Sequence, residues 1–280
     1  MEDKIVTNTE LMGFKASLAE DEKSPKTIEK YLRDAHGFYA FARGREITKD
    51  LVVAYKKKLT DSGRYTVGSV NSMLISVNRF LVFLGCGDCR VKCLREQRQV
   101  YQREDRQLTK AEYLCLLNAA RSDERLCLLL QTICATGIRV SELQYFTVEA
   151  VRQGEVTVTC KSKTRSILLP GVLKRKLLSF AARRGIAAGV IFRSRNGRPL
   201  DRSNIWAMMK RLCAAANVKP GKVFPHNLRK LFARTFYGIE KDIAKLADLL
   251  GHSSINTTRI YIMTTGAEHR RKIERLGLVV

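Results

Sequence analysis

The segment Glu155-Val156-Thr157-Val158-Thr159-Cys160-Lys161-Ser162-Lys163-Thr164-Arg165-Ser166-Ile167-Leu168-Leu169-Pro170 carries the one clear β signal in the chain. Val156, Val158 and Cys160 alternate with Glu155, Thr157 and Thr159, the period-two pattern of a strand with one buried face. A polar turn around Ser162–Arg165 leads into Ile167, Leu168 and Leu169, and Pro170, which has no N–H to give to a ladder, ends the run. The expectation is an antiparallel hairpin. On both sides of it apolar residues recur at helical spacing, so the fold class is mainly α (α+β), with a small antiparallel sheet set among helices.

Toward the N-terminus, Thr109 and Glu112 form a capping box ahead of Tyr113, Leu116 and Leu117. Leu126, Leu129, Leu130 and Ile133 make the next helix, which stops near Thr136-Gly137. Toward the C-terminus, helices are expected over Leu173–Ala182, Asn204–Ala216, Pro225–Tyr237 and Asp242–Leu250. Residues 108–266 thus read as one mostly helical unit around the hairpin. Residues 89–107 break the periodicity and carry Arg90, Lys92, Arg95, Arg98, Arg103 and Arg106. They read as a basic interdomain linker able to track a phosphate backbone. Residues 1–88 read as a helical bundle whose faces are Leu11, Phe14 and Leu18; Ile28, Tyr31, Leu32, Ala35 and Phe38; Leu51, Tyr55 and Leu59; and Val67, Val70, Leu74, Val77, Leu81 and Leu84. Ser24-Pro25 and Thr48 start two of these helices, Arg43-Gly44-Arg45 and Ser62-Gly63 end two, and the apolar residues named are core. Residues 267–280 form a tail in which Ile273, Leu276 and Leu278 are apolar.

The chain has 280 residues, 45% of them hydrophobic, enough for one large domain or two ordinary ones. Lys and Arg number 51 against 27 Asp and Glu, a formal charge of +24. A folded, non-repetitive chain this basic points to a polyanionic partner, nucleic acid first, although composition separates neither DNA from RNA nor binding from chemistry. The start, Met1-Glu2-Asp3-Lys4, is not a secretory signal. Apolar stretches such as Leu126–Leu130 are too short to span a bilayer, so a cytoplasmic protein without a membrane partner is expected. Eight scattered cysteines read as reduced thiols. Cys86, Cys89 and Cys93 have a spacing that could offer three thiolates to zinc, but no second pair follows nearby and the histidines stand at 36, 226, 252 and 269. Packing is the reading, and no metal is expected.

The chemistry-bearing groups lie in the second unit. Arg139 is followed three residues on by Glu142, which on a helix shares its face and can orient the guanidinium. Lys161 stands at the end of the first hairpin strand. Pro225 can open a helix whose i, i+3 spacing puts His226 and Arg229 on one face. His252 follows Leu250-Gly251, where the glycine suits a helix C-cap, and Tyr261 comes nine residues later after a Ser253-Ser254 restart.

The order Arg139, Lys161, His226-x-x-Arg229, Leu250-Gly251-His252, Tyr261 closely resembles the tyrosine recombinase, or phage integrase, family. The match covers the whole second unit and, more loosely, the helical first. The resemblance implies a SAM-like core-binding bundle, a catalytic domain and a clamp around DNA. It also implies that Tyr261 attacks a backbone phosphate, giving a 3′-phosphotyrosine and a free 5′-hydroxyl. Arg139, Arg229 and His252 would then donate to the non-bridging oxygens as charge develops there. Phenol, with a free pKa of about 10, is a weak nucleophile and needs a base. His226 is expected to take its proton, and Lys161, with Lys163 as runner-up, to protonate the leaving 5′ oxygen. The bond energy stays in the phosphotyrosine, so no cofactor, ATP or metal is expected. Attack by a partner strand would complete exchange through a Holliday junction. Arg90, Lys92, Arg95 and Arg98 are expected DNA contacts.

The implied partners are double-stranded DNA core sites, further copies of the chain in a synaptic tetramer joined by the tail, and a possible accessory excision factor. Cys160 stands where many relatives have glycine, and Lys230 where many have histidine; neither removes a required group. Integration and excision of a mobile element is the first expectation, Xer-type resolution of dimers the second and DNA inversion the third. A type IB topoisomerase-like relaxing enzyme and a catalytically silent DNA-binding regulator are the readings from other classes.

Overall fold

The computed structural model describes residues 7–95, 101, 104–160 and 163–278. The chain divides into two compact units, Met1–Arg98 and Gln99–Val280. In the first, α1 (Asn8–Glu20), α2 (Pro25–Ala42), α3 (Lys49–Asp61) and α4 (Val67–Phe83) bury the faces expected of them. Thr7, Ser24, Thr48 and Thr66 cap these helices, each accepting from a backbone N–H of the first turn. Phe14 packs on Phe80 with its ring tilted 50° at 5.0 Å between centroids, and Leu18, Phe38, Val52 and Leu74 fill the same core. Each such side chain removed from water contributes about 1.5–3 kcal/mol.

Residues 91–94, placed in the linker from the sequence, are laced onto α4. Asn78 accepts from the Val91 N–H at 3.0 Å and donates to its carbonyl at 2.8 Å. Asn71 does the same for Leu94, at 2.7 and 3.0 Å. Val91 is buried in the bundle core, while Arg90, Lys92 and Arg95 are exposed. Cys86 and Cys89 pack against that core and Cys93 is exposed.

The second unit contains α5 (Lys110–Ala119), α6 (Glu124–Thr136), a 3-10 turn (Val140–Tyr145), α7 (Val148–Gln153), β1 (Glu155–Cys160), β2 (Lys163–Leu168), α8 (Gly171–Arg183), α9 (Arg202–Ala215), α10 (Pro225–Ile239), α11 (Ile243–Leu250), α12 (Ile255–Ile262) and α13 (Gly266–Glu274). The capping box at Thr109 and Glu112 is present. The helical core around Leu129, Leu130, Phe146, Leu177 and Phe192 encloses one face of the hairpin.

Pairing is antiparallel, with Val156 opposite Ile167 and Val158 opposite Arg165. The turn is tighter than the polar run Ser162–Arg165 suggested, because β2 begins at Lys163. Thr164 and Arg165 are strand residues: Thr164 sets its hydroxyl 3.3 Å from that of Thr159, and Arg165 shares the inward face with Val158. Leu168, one residue past Ile167, points the other way and is 74% exposed. Residues 140–145, where helical spacing would put Arg139 and Glu142 on one face, form a 3-10 turn, and Glu142 closes back on the Arg139 backbone N–H. Among the described residues no helix is long and apolar enough to cross a membrane.

Candidate active site

Two glycines in the left-handed region set the geometry. Gly137 (φ +64°) ends α6, and Gly251 (φ +62°) ends α11. Arg229, on α10, reaches both turns: Nη1 donates to the Gly137 carbonyl and Nη2 to the Leu250 carbonyl at 2.6 Å. The side chain is almost wholly buried, and its Nε donor has no acceptor among the described residues. Burial first, then nearby Arg139, lowers its pKa to about 10, so the guanidinium stays charged at neutral pH.

Arg139 stands at the mouth of the 3-10 turn. Its Nη1 donates to Glu142 Oε1 at 3.0 Å, its backbone N–H to Oε2 at 2.8 Å, and its Nη2 to the Gly251 carbonyl at 3.2 Å. The side chain keeps 37% of its surface open, so it is the accessible guanidinium of the pair. Glu142 is buried, and its Oε2 also accepts from Arg165 Nη2 at 2.6 Å. Arg139 and Arg165 therefore share one carboxylate, and Arg229 adds a third positive charge nearby, leaving a surplus suited to an anion.

Tyr261, on α12, is buried beneath these cations. Its hydroxyl lies 3.5 Å from His226 Nδ1, and the ring meets His226 and His252 edge-on at 4.9 and 4.7 Å, with the Arg229 guanidinium 5.8 Å from its centroid. His226 comes from the first turn of α10, which Pro225 opens. Burial first, then Lys230, Arg229, Arg139 and Arg202, push its pKa down to about 4. More than a third of the residue is still open to water, and the neighbouring cations reinforce the shift. His252 is likewise pushed down to about 4, by burial and then by Arg229, Arg139 and Arg165. Both imidazoles are neutral at pH 7. His226 can accept a proton, and the tyrosine hydroxyl beside it is an oxygen nucleophile placed to give one up.

Arg139, Glu142, His226, Arg229, His252 and Tyr261 are thus brought together. Lys161 lies outside the described residues, as does Arg98; Lys163 opens β2. Arg90, Lys92 and Arg95 belong to the first unit. Two neighbours of the site were not singled out from the sequence: Arg165, on Glu142, and Thr258, whose hydroxyl lies 2.9 Å from His252 Nδ1. The inward hairpin register signals the first, and the i, i+3 spacing to Tyr261 the second.

Comparison with known proteins gives a consistent result. Residues 106–268 match the Phage integrase family. The chain is 27% identical over 289 residues to the tyrosine recombinase XerA of Pyrococcus furiosus, covering 100% of this chain and 98% of that protein. It is 28% identical over 270 residues to the tyrosine recombinase XerD of Halalkalibacterium halodurans, covering 88% and 90%. Among solved structures, a lambda integrase tetramer bound to a Holliday junction superposes with a TM-score of 0.73 at 20% identity, covering 92% of this chain and 78% of that one. A XerA recombinase structure gives 0.54 at 26% identity, covering 98% and 100%.

Proposed function

The chain belongs to the phage integrase family, the tyrosine recombinases that break and rejoin DNA at specific sites, and from that premise we propose that its reaction runs through Tyr261. The observation that carries this is the Tyr261 hydroxyl, 3.5 Å from a neutral His226 nitrogen, with the Arg229 guanidinium 5.8 Å from the centre of its ring. A phosphodiester drawn to those cations brings its phosphorus to the phenol oxygen. His226 takes the phenolic proton as the oxygen attacks, and Arg139 and Arg229 hold the charge that grows on the non-bridging oxygens. The unsatisfied Nε of Arg229 is a donor such an oxygen can use. Lys161, with Lys163 as runner-up, protonates the departing 5′ oxygen. The products are a 3′-phosphotyrosine and a free 5′-hydroxyl, and attack by a partner strand's hydroxyl reverses the step and leads through a Holliday junction. The energy of the broken bond is kept in the phosphotyrosine, so rejoining calls on no cofactor.

Double-stranded core sites are the substrate, and a tetramer on two sites is the acting form, supported by Ile273, Leu276 and Leu278, which are 53%, 62% and 83% exposed. Arg90, Lys92, Arg95 and Arg98 contact the DNA backbone. The role we favour is integration and excision of a mobile element in the cytoplasm, aided by an accessory excision factor. The similarity to XerA along nearly the whole of both chains favours a second reading, resolution of replicon dimers.

The test is covalent capture. Nicked duplexes made from fragments of the host genome are incubated with the protein, and denaturant-stable adducts are sequenced and mapped by mass spectrometry. Adducts at Tyr261, absent for Tyr261→Phe although that variant still binds, are expected. Binding without any adduct would make the chain a silent regulator, and supercoil relaxation without a site requirement a topoisomerase-like enzyme. Sequenced recombinant junctions separate element insertion from dimer resolution.

A further inference from the structure

Arg165 takes part in none of the steps above, yet it is built into the site. Its register opposite Val158 turns it inward, where the side chain is 14% exposed. An inward arginine is costly unless its charge and donors are satisfied. Here Nη2 meets Glu142 Oε2 at 2.6 Å, and Nη1 donates to the Leu249 carbonyl. The stem lies across Gly251 so closely that a Cβ there would stand 2.7 Å from Cδ and 2.9 Å from Nε. One side chain thus joins the hairpin, the Glu142 carboxylate and the turn that leads into His252.

We propose that Arg165 is a positioning residue for strand cleavage, keeping Glu142 divided between two arginines so that Arg139 stays available to the scissile phosphate. The inference rests on the recombinase reading above. Glu142 now offers Oε1 to the Arg139 side chain and Oε2 to Arg165 and the Arg139 backbone. Without Arg165, the carboxylate is free to take both terminal nitrogens of Arg139 in a bidentate fork, the preferred geometry of such a pair. The donors needed by the phosphate are then spent on Glu142. The Leu249–Gly251 turn also loses its tether, and Gly251 supplies the carbonyl to which Arg139 Nη2 donates.

The test compares two substrates: the nicked duplex that wild type cleaves, and the same duplex with a methylphosphonate at the scissile position. The methylphosphonate is uncharged and makes less demand on a paired cation. Arg165→Ala should bind the duplex within about threefold of wild type, but form the Tyr261 adduct about thirtyfold more slowly on the phosphodiester. On the methylphosphonate the deficit should shrink to about threefold or less, because the step then depends less on Arg139. Arg165→Lys, which keeps the charge but cannot span Glu142 and Leu249 with a planar fork, should fall between, and it carries the comparison if the alanine variant does not fold. Equal deficits on both substrates would mean a merely structural role and overturn the proposal, as would undiminished cleavage of the phosphodiester by both variants. Wild type that forms no Tyr261 adduct on any fragment would instead overturn the recombinase reading, and this inference with it.

Discussion

Arg229 Nη2 lies 3.0 Å from Nε2 of His252, and a guanidinium can only donate. Nε2 is therefore the acceptor, and the imidazole carries its proton on Nδ1, which donates to the Thr258 hydroxyl at 2.9 Å. Without DNA, His252 is not the ready phosphate donor that the sequence pattern suggests. Under the mechanism proposed above it would become one if an incoming phosphate drew Arg229 Nη2 away and Nε2 gained a proton, with Thr258 holding the other edge of the ring. Thr258→Val, which keeps the shape and removes the acceptor, should slow adduct formation about tenfold with little loss of DNA binding, while Thr258→Ser restores it. Nitrogen-15 NMR of the DNA-free protein should show the Nδ1–H tautomer at His252 in wild type and Thr258→Ser. An Nε2–H ring there would contradict this account.

The depressed histidines set a pH dependence. Native His226 and His252 titrate at about 4, against about 6.5 when unfolded. Between those values the unfolded chain binds more protons than the native one. The stability these two groups contribute is therefore complete above pH about 6.5 and is lost as pH falls toward 4. Thermal melts from pH 7.5 to 5 should show wild type losing more Tm than His226→Asn over that interval. Parallel curves would show that His226 does not titrate as described. Adduct formation should not fall through a base titration near pH 6.5, because His226 is already neutral there.

Gly137 and Gly251 share a left-handed backbone but should respond differently to alanine. A Cβ at Gly137 collides with the Phe232 ring inside a packed region, and backbone strain adds to it; Gly137→Ala should cost about 2–4 kcal/mol in urea unfolding. At Gly251 the collision is with the flexible Arg165 stem, so Gly251→Ala should cost only about the 1–2 kcal/mol of left-handed strain. Its cleavage should fall further than that loss explains, since Arg165 is displaced from Glu142. Similar unfolding costs at the two positions would refute the distinction.

Much of this was legible from local signals. Leu11, Phe14 and Leu18 repeat at helical spacing, Thr109 and Glu112 cap reciprocally, and Val156 and Val158 alternate; each signal needs only a few neighbouring residues. Arg139, His226, Arg229, His252 and Tyr261 were recognisable by their order, and they do come together in space. Arg165 was not legible, because its place depends on hairpin register and on a carboxylate 23 residues away. Residues 91–94 looked like linker because their backbone is held mainly by side chains, Asn71 and Asn78 above all, and only Val91 and Leu94 pack on the bundle, too little to show as a periodic face. The helix α13 was hidden because its capping box, Thr265 with Glu268, opens a segment whose apolar residues remain exposed.

Those asparagines give a local prediction. Asn78→Ala removes two hydrogen bonds to Val91, and Asn71→Ala two to Leu94. Each should cost about 1–2 kcal/mol and open the segment to trypsin at Arg90, Lys92 and Arg95. If these cations touch the DNA backbone from a fixed strand, affinity should drop and its salt slope flatten. Unchanged trypsin digestion would show that the asparagines are not what holds the segment.

The exposed apolar tail separates assembly from folding. Ile273, Leu276 and Leu278 lie outside the described core clusters, so deleting residues 268–280 should change the melting temperature little. The cut does remove Glu268, which accepts from the Thr265 N–H at 3.0 Å and completes its cap, so a small local loss of order near Thr265 is expected. If the tail docks on a neighbouring copy, the truncated chain should bind one core site as wild type does but form no tetramer on two sites in sedimentation measurements. Cleavage should fall along with assembly, because the tail follows directly on the helix that carries Tyr261 and a docked tail would hold that helix in place. Full assembly and full recombination by the truncated chain would eliminate the docking role and leave the exposed residues as ordinary surface.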